Sequence, residues 1–469
     1  MLFNSLHFYV FALIVIPAFF WFEKKGQKRL LLWASFYFYA CLKIAFVPIL
    51  LISFAATYLT SFKIESSISK SIKKFWLLLS LLVNLGILCF FKYTDFLRSI
   101  SYDVRAFLGS NQNLTFEPIG LILPLGISFY TFQAIAYSID IYRGQIKPEK
   151  SFSDFSLFLL FFPQLVAGPI MRASVLIPQI HTKKYFSKEN LLAGLPIIAL
   201  GIFKKTLIAD PISDLISPLY SNPGEFHWFS LLLADYLFSI QIYCDFAGYS
   251  DIAIGTGKIL GFDIPINFLR PFLSKSVTEV WQRWHISLSS WLRDYVYIPL
   301  GGNRVSKFRN YFNVFITMVI GGIWHGAAWT FVIWGTIHGI FITIEKYINE
   351  KGFGKIFSAI PKPIKILYSF QAFVIGAHFF RSTSVENSFL SAKRIFSMEG
   401  GVSVLPELSV LIPVAILFLL ELSEEERWKI LPQKQYSELL KYSIVAMIFL
   451  VAGMIYTVTV SPQFYYFQF

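Results

Sequence analysis

Long apolar stretches separated by short charged clusters set the pattern of this chain. Residues 75–91 (FWLLLSLLVNLGILCFF) and 443–460 (SIVAMIFLVAGMIYTVTV) each approach the ~20 residues that cross a hydrocarbon core. The same reading along the rest of the chain, by length and charge exclusion, predicts roughly ten to twelve membrane-embedded segments. They are expected to be helices, because a spanning segment must satisfy its own backbone groups. Residues 1–62 read as two or three spans. The first is retained rather than cleaved, since it lacks a basic start and a small-residue cleavage site ahead of Lys24 and Lys25. Further spans are expected near 75–92, 189–209 and 229–256, with two or three more after residue 364.

Three stretches break the pattern. FLLFFPQLVAGPIMR (158–172) holds Pro163, Gly168 and Pro169 inside an apolar run. It is either a broken or re-entrant segment packed within protein, or a span that ends at Pro163. Residues 270–310 are rich in charge yet full of Trp and Tyr, too polar to cross, and read as an amphipathic or partly inserted element at the membrane surface. The run 311–344 is longer than one span needs. Gly321, Gly322, Gly326, Gly335 and Gly339 offer places for a break or for close helix packing. Without an internal repeat or a separate soluble portion, residues 1–469 read as one membrane domain.

Composition sharpens this. Only 15% of residues are charged while 55% are hydrophobic, against about a quarter charged in soluble domains. Aromatics make up 18%, as expected where Phe faces lipid and Tyr and Trp sit at the interfaces. The net charge of +13 resides in clusters such as EKKGQKR (23–29), KSIKK (70–74) and the pair Lys204–Lys205, a distribution that fits cytoplasmic loops against anionic headgroups. It gives no base-reading context, so nucleic acid is not expected. Cys41, Cys89 and Cys244 have neither metal nor disulfide spacing and read as packing residues.

Against this background one residue is conspicuous. From Asn313 to Ile344 there is no Asp, Glu, Lys or Arg, and the ionisable side chains are His325 and His338. Burial would keep His325 neutral, the form that a general base requires, and Gly322 and Gly326 leave room beside it. A helix-joining hydrogen bond is the alternative role. His285, in the Trp-rich stretch, could face the same cavity. On a continuous helix His338 would point nearly opposite to His325, which makes it structural. Asp235, Asp245 and Asp251 are further candidates because acids at membrane depth are rare. Phosphate-loop, HExxH, GxSxG and CxxC motifs are absent, and no metal is expected.

The stretches YCDFAGYSDIAIGTGKILGF (243–262), WQRWHISLSSWLRDYVYIPLGGNR (281–304) and GGIWHGAAWTFVIWGTIHG (321–339) together resemble the membrane-bound O-acyltransferase family, in particular its bacterial alginate O-acetylation branch. LPLGISFYTFQAIAYSIDIYRG, FFPQLVAGPIMR and the aromatic C-terminus are similar to that branch too. The resemblance implies an all-α polytopic fold with re-entrant and interfacial helices around a tunnel or funnel, and a catalytic core at about residues 120–345. It implies that His325, in the Trp324–His325–Gly326 match, is the catalytic histidine and that His285 is the second family histidine. The reaction implied moves an acyl group, commonly acetyl, from a thioester such as acetyl-CoA onto a hydroxyl of an extracytoplasmic polysaccharide, with a separate esterase-like acetyltransferase as partner. The setting implied is the bacterial cytoplasmic membrane, with no tightly bound cofactor.

An alcohol is a weak nucleophile, so a neutral imidazole accepting its proton fits that chemistry. His285, Trp N–H groups and backbone amides near Gly321 are all candidates for stabilising the oxyanion. Asp245, Trp324, Arg283, Arg293 and Arg304 are the substrate-binding candidates, with Lys307 and Arg309 also placed to attract donor phosphates or to anchor the loop at the headgroups. D-alanyl transfer to teichoic acid, or acylation of a lipid or protein, is the alternative within the family. A conduit without covalent chemistry is the alternative outside it.

Overall fold

The computed structural model describes residues 1–427 apart from 2, 4, 42, 109–115, 166, 167 and 353. The expected last span at 443–460 and the aromatic C-terminus lie outside the described residues. Every regular element among the described residues is helical. Among the described residues, six helical stretches are long and apolar enough to cross a membrane: Ile44–Ser66, Lys70–Arg105, Lys188–Ser221, Trp228–Ile259, Trp329–Glu350 and Lys362–Arg381. Two shorter apolar helices, Leu6–Trp21 and Leu408–Ser423, accompany them. The protein is a multi-pass, all-α membrane protein.

The chain divides into two compact units. The first, Met1 with Phe11–Tyr185, contains the body of α1 (Leu6–Trp21), then α2 (Lys24–Ala40), α3 (Val47–Ser66), α4 (Lys70–Phe107), α5 (Ile127–Tyr142), α6 (Phe152–Leu160) and α7 (Ala173–Ile180). The interrupted segment 158–172 is indeed broken. α6 ends at Leu160, a turn follows, and Gly168 N–H returns to the Gln164 carbonyl at 3.0 Å. Polar side chains tie α3 to its neighbours, with Asn84 of α4 accepting from Ser53 at 2.6 Å and donating to Thr57 at 2.9 Å.

The second unit starts at Phe186 and takes in the beginning of α1 up to Val10. It holds α8 (Lys188–Ile202), a π-helical stretch Phe203–Ala209, α9 (Asp210–Ser221), α10 (Trp228–Ile259), α11 (Val277–Arg283), α12 (Ile286–Leu292), α13 (Lys307–His325), α14 (Trp329–Glu350), α15 (Gly354–Ala359), α16 (Lys362–Arg381), α17 (Val385–Phe396) and α18 (Leu408–Arg427). α10 is the central element and packs along α8 and α16. Its closest approach to α8 is at Gly201 and Gly248, where an added Cβ would meet the opposing carbonyl at 2.5 or 2.6 Å. Such contacts rest on small residues, since helix association in lipid depends on close van der Waals packing.

The run 311–344 breaks once, at Gly326–Ala328, and folds into the antiparallel pair α13 and α14. Gly322 and Gly335 form the seam. A Cβ on Gly322 would lie 2.3 Å from the Phe331 carbonyl, and one on Gly335 2.6 Å from that of Met318. The break and the close packing expected from these glycines are therefore both present.

Three expectations need correction. The Lys204–Lys205 pair is no loop cluster: both side chains are buried in the π-helical stretch of a span. The Trp-rich stretch 270–310 is a surface element only in part: Trp281, Trp284 and Trp291 are buried among neighbouring helices, whereas residues 303–309 are exposed. Of the cysteines, Cys244 packs inside while Cys41 and Cys89 face outward from their helices.

Candidate active site

His325 is the last residue of α13 and is 4% exposed. A helix C-terminus carries partial negative charge, which favours a cation there, so this position helps an imidazole hold a proton that it has accepted. Three rings surround it edge-on: Trp324 at 4.9 Å between centroids, Trp334 at 4.9 Å and Phe380 at 5.3 Å. They come from α13, α14 and α16 and wall it with apolar surface.

His285 sits between α11 and α12, outside the candidate spans, and is fully buried. Burial alone pushes its imidazole down to about 3, because charging the ring would strand a cation in a medium that solvates it poorly. Its ring stands 4.6 Å from Phe246 of α10 and 6.0 Å from Trp324. Trp324 thus neighbours both His285 and His325. The backbone at His285 is left-handed, φ 42°, a conformation rare for a residue with a Cβ. Asn267 holds it there. The Asn267 carbonyl accepts from Ile286 N–H at 2.9 Å, and its side-chain Oδ1 accepts from Ser287 N–H at 3.1 Å and Ser287 Oγ at 2.8 Å, and contacts His285 Nδ1 at 3.2 Å.

His338 departs from expectation. Because the helix breaks, His338 and His325 share Trp334, whose centroid is 5.0 Å from the former. Trp281 Nε1–H donates to His338 Nδ1 at 3.4 Å. His338 therefore belongs to the same aromatic cluster, and the rotation predicted for one continuous helix does not apply.

The other predicted residues fall elsewhere. Asp245 is buried and ion-paired: Lys205 Nζ lies 2.6 Å from Asp245 and 2.6 Å from Asp210, while Lys204 pairs with Asp251 at 2.9 Å. The π-helical turn places these two consecutive lysines against α10, a geometry common where helices carry function. Arg283 is engaged by Glu279 at 2.7 Å, Arg293 by Asp294 at 2.8 Å, and Arg304, Lys307 and Arg309 are exposed.

Sequence reading missed Asn267, whose amide carries no signal in a polar connection. It also missed His378. That histidine stands in an apolar stretch like His325 and is buried, with Nδ1 2.9 Å from Asp235 and Nε2 2.9 Å from the Ser388 carbonyl. Tyr220 donates to the same carboxylate at 2.7 Å. Nε2 faces a carbonyl and therefore carries a proton, while Nδ1 is held by Asp235, so both ring nitrogens of His378 are taken up in hydrogen bonds. The pair lines a cavity of about 550 Å³ whose other walls include Leu232, Phe379 and Phe389. Among the described residues, one group has ligand atoms close enough for a metal, Glu149, Asp154 and His181 in the first unit. There the Lys28 ammonium, 2.5 Å from Asp154, already supplies a cation.

Residues 146–351 match the sequence profile of the membrane-bound O-acyltransferase family. The chain is 36% identical over 403 residues to the peptidoglycan O-acetyltransferase of Helicobacter pylori, covering 80% of this chain and 74% of that protein. This chain belongs to the membrane-bound O-acyltransferase family. It is also 35% identical over 400 residues to the probable alginate O-acetylase AlgI of Pseudomonas aeruginosa, covering 84% of this chain and 74% of the relative. Likeness to the teichoic acid D-alanyltransferase of Bacillus subtilis is narrower, 32% over 249 residues, half of this chain and 61% of that one. As a family member the protein is an O-acyltransferase, and the matched region contains α10 to α14 with both histidines and Trp324.

Proposed function

We propose that this O-acyltransferase moves an acetyl group from a cytoplasmic thioester donor such as acetyl-CoA toward hydroxyls of an extracellular or cell-wall polysaccharide. It works in the bacterial cytoplasmic membrane, beside an esterase-like acetyltransferase partner. The observation that carries the reading is the placement of both His325 and His285 against Trp324 within a buried aromatic cluster. Relatives whose names specify O-acetylation cover most of the chain, which favours acetyl over other acyl groups.

In this reaction His325 takes the proton from the attacking hydroxyl as its oxygen bonds to the thioester carbonyl carbon. The tetrahedral intermediate then collapses, the C–S bond breaks, and the imidazolium returns the proton to the departing thiolate. The helix terminus stabilises the intermediate imidazolium, and the aromatic walls exclude the water that would hydrolyse the donor. Arg283, Arg293 and Arg304 serve as donor-phosphate contacts on the cytoplasmic side, and Asp245 supports the helices around the site through Lys205.

The test is His325→Ala, with polymer-bound O-acetyl esters measured per unit of membrane-inserted protein. Loss of ester by about 100-fold or more at normal abundance is expected, the scale of a general base. Near-normal ester removes the assignment. The likeness to a D-alanyltransferase favours one second reading, transfer of D-alanine to teichoic acid. It predicts D-alanyl rather than acetyl esters in the same assay.

A further inference from the structure

We infer that Asn267 is the positioning residue that fixes which nitrogen of His285 can accept a proton. This rests on the proposed acyl transfer and deepens it.

The argument is one of donors and acceptors. Ser287 N–H can only donate, and it points to Asn267 Oδ1 at 3.1 Å, as does Ser287 Oγ at 2.8 Å. That atom is therefore the amide oxygen, an acceptor. The Asn267 amide nitrogen lies on the other side, 3.4 Å from Ser250 Oγ. His285 Nδ1, 3.2 Å from Oδ1, must then be the protonated nitrogen. The neutral ring carries its lone pair on Nε2. A neutral His285 in this tautomer cannot donate from Nε2 to an oxyanion; it can accept a proton there. Among the oxyanion candidates raised by the sequence, His285 drops out in favour of N–H groups, and its role becomes that of a second acceptor beside His325.

The arrangement is built for orientation. Asn267 is 1% exposed and holds both the backbone turn, through Ile286 N–H, and the ring, through Nδ1. The left-handed His285 is kept in place by these same bonds. The ring is faced by Phe246 from α10, Phe268 from the same connection as Asn267, and Trp324 from α13. The charged or titratable residues bordering those groups include Asp245, held by Lys205, Tyr243, which packs on Phe268 and donates to Glu421, Arg283, held by Glu279, and His325 beside Trp324.

Two variants and two readouts test the assignment. Asn267→Ala removes the acceptor, and turnover of acetyl-CoA in permeabilised membranes is expected to fall at least ~10-fold in kcat with little change in KM, as when a histidine loses the partner that sets its tautomer. Asn267→Asp keeps the acceptor but puts a negative charge beside Nδ1–H. It stabilises the imidazolium, so the acid limb of the pH–rate profile moves up by about one unit or more. Ser287→Ala, which removes one bond to Asn267 without touching the ring, reports on packing and leaves the acid limb where it was. Independently of activity, 15N-histidine NMR of the purified protein, assigned by loss of the signal in His285→Asn, is expected to show a protonated Nδ1 and a bare Nε2. That pattern is expected to give way to a mixture in Asn267→Ala. An unmoved acid limb in Asn267→Asp, or an Nε2–H signal in the unmodified protein, overturns the proposal while leaving acyl transfer standing. Full turnover in His285→Asn would instead overturn the role of His285 itself.

Discussion

Two buried histidines of the second unit face opposite fates, and their neighbours decide which. His378 lies between an aspartate and a carbonyl, so both its nitrogens are taken up in hydrogen bonds, further pinned by the Tyr220 hydroxyl on Asp235. His325 lies among the rings of Trp324, Trp334 and Phe380 at the end of a helix. A ring held at both nitrogens by protein groups is not offered to a substrate proton, whereas the proposed function needs a ring nitrogen at His325 that is. The same residue type in the same kind of apolar stretch thus serves as structure in one place and, on the proposed function, as chemistry in the other.

The sharpest way to break this contrast is to remove one partner of the buried His378–Asp235 pair. Asp235→Ala leaves the buried His378 Nδ1 without its acidic partner, and about 3–5 kcal/mol of stability is expected to go. The readout is the midpoint of thermal unfolding in detergent, with acyl transfer per folded molecule unchanged. A transfer defect larger than the loss of folded protein would place His378 in the chemistry after all. Next in size is Gly335→Leu, which drives a side chain into the Met318 carbonyl. Overpacking of this kind costs typically 1–3 kcal/mol. Because α13 carries His325, activity is expected to fall further than stability does; parallel losses would show that the hairpin seam does not position the base.

Trp324→Phe keeps an aromatic ring beside both histidines and removes the indole N–H. A loss of less than about tenfold, under ~1.4 kcal/mol of barrier, is expected if Trp324 acts as wall. A drop of a hundredfold or more would make its N–H an oxyanion donor. A further effect is one of pH. His285 titrates at about 3 in the fold against 6.5 when exposed, so the unfolded chain binds more protons between those values. Acidification from pH 6.5 toward 3 therefore removes stability, and none of this loss occurs above 6.5. His285→Asn, which suits the left-handed backbone and cannot titrate, is expected to unfold at a temperature less sensitive to pH across that window. An identical slope in both proteins would show that His285 is hydrated.

Much of this was legible in the sequence because bilayer physics is severe. Long apolar runs mark the helices around 189–209 and 229–256, the glycines mark the hairpin of α13 and α14, and His325 is visible as an ionisable group where such groups are costly. His285 stands out in the Trp-rich stretch, and the resemblance implies its role. What escaped was whatever depends on partners distant in sequence. Lys204 and Lys205 look like loop charges until a π-helical turn places them on the aspartates of α10. Asn267 is an ordinary loop amide until it meets a residue 18 positions later. The direction predicted for His338 does not hold because the chain interrupts the helix between it and His325. His378 carries the same sequence signal as His325, a lone histidine in an apolar stretch, and only its distant partners Asp235 and Ser388 tell the two apart.

The left-handed turn at His285 bears on how the protein matures. A residue with a Cβ loses roughly 1–2 kcal/mol in that conformation, so a nascent chain spends little time there before the 267 connection docks. Until then the ring has no fixed direction and no assigned proton. Competence for chemistry is therefore acquired late, with tertiary assembly, and a partly inserted chain holds a full complement of helices while its reactive centre is still unformed.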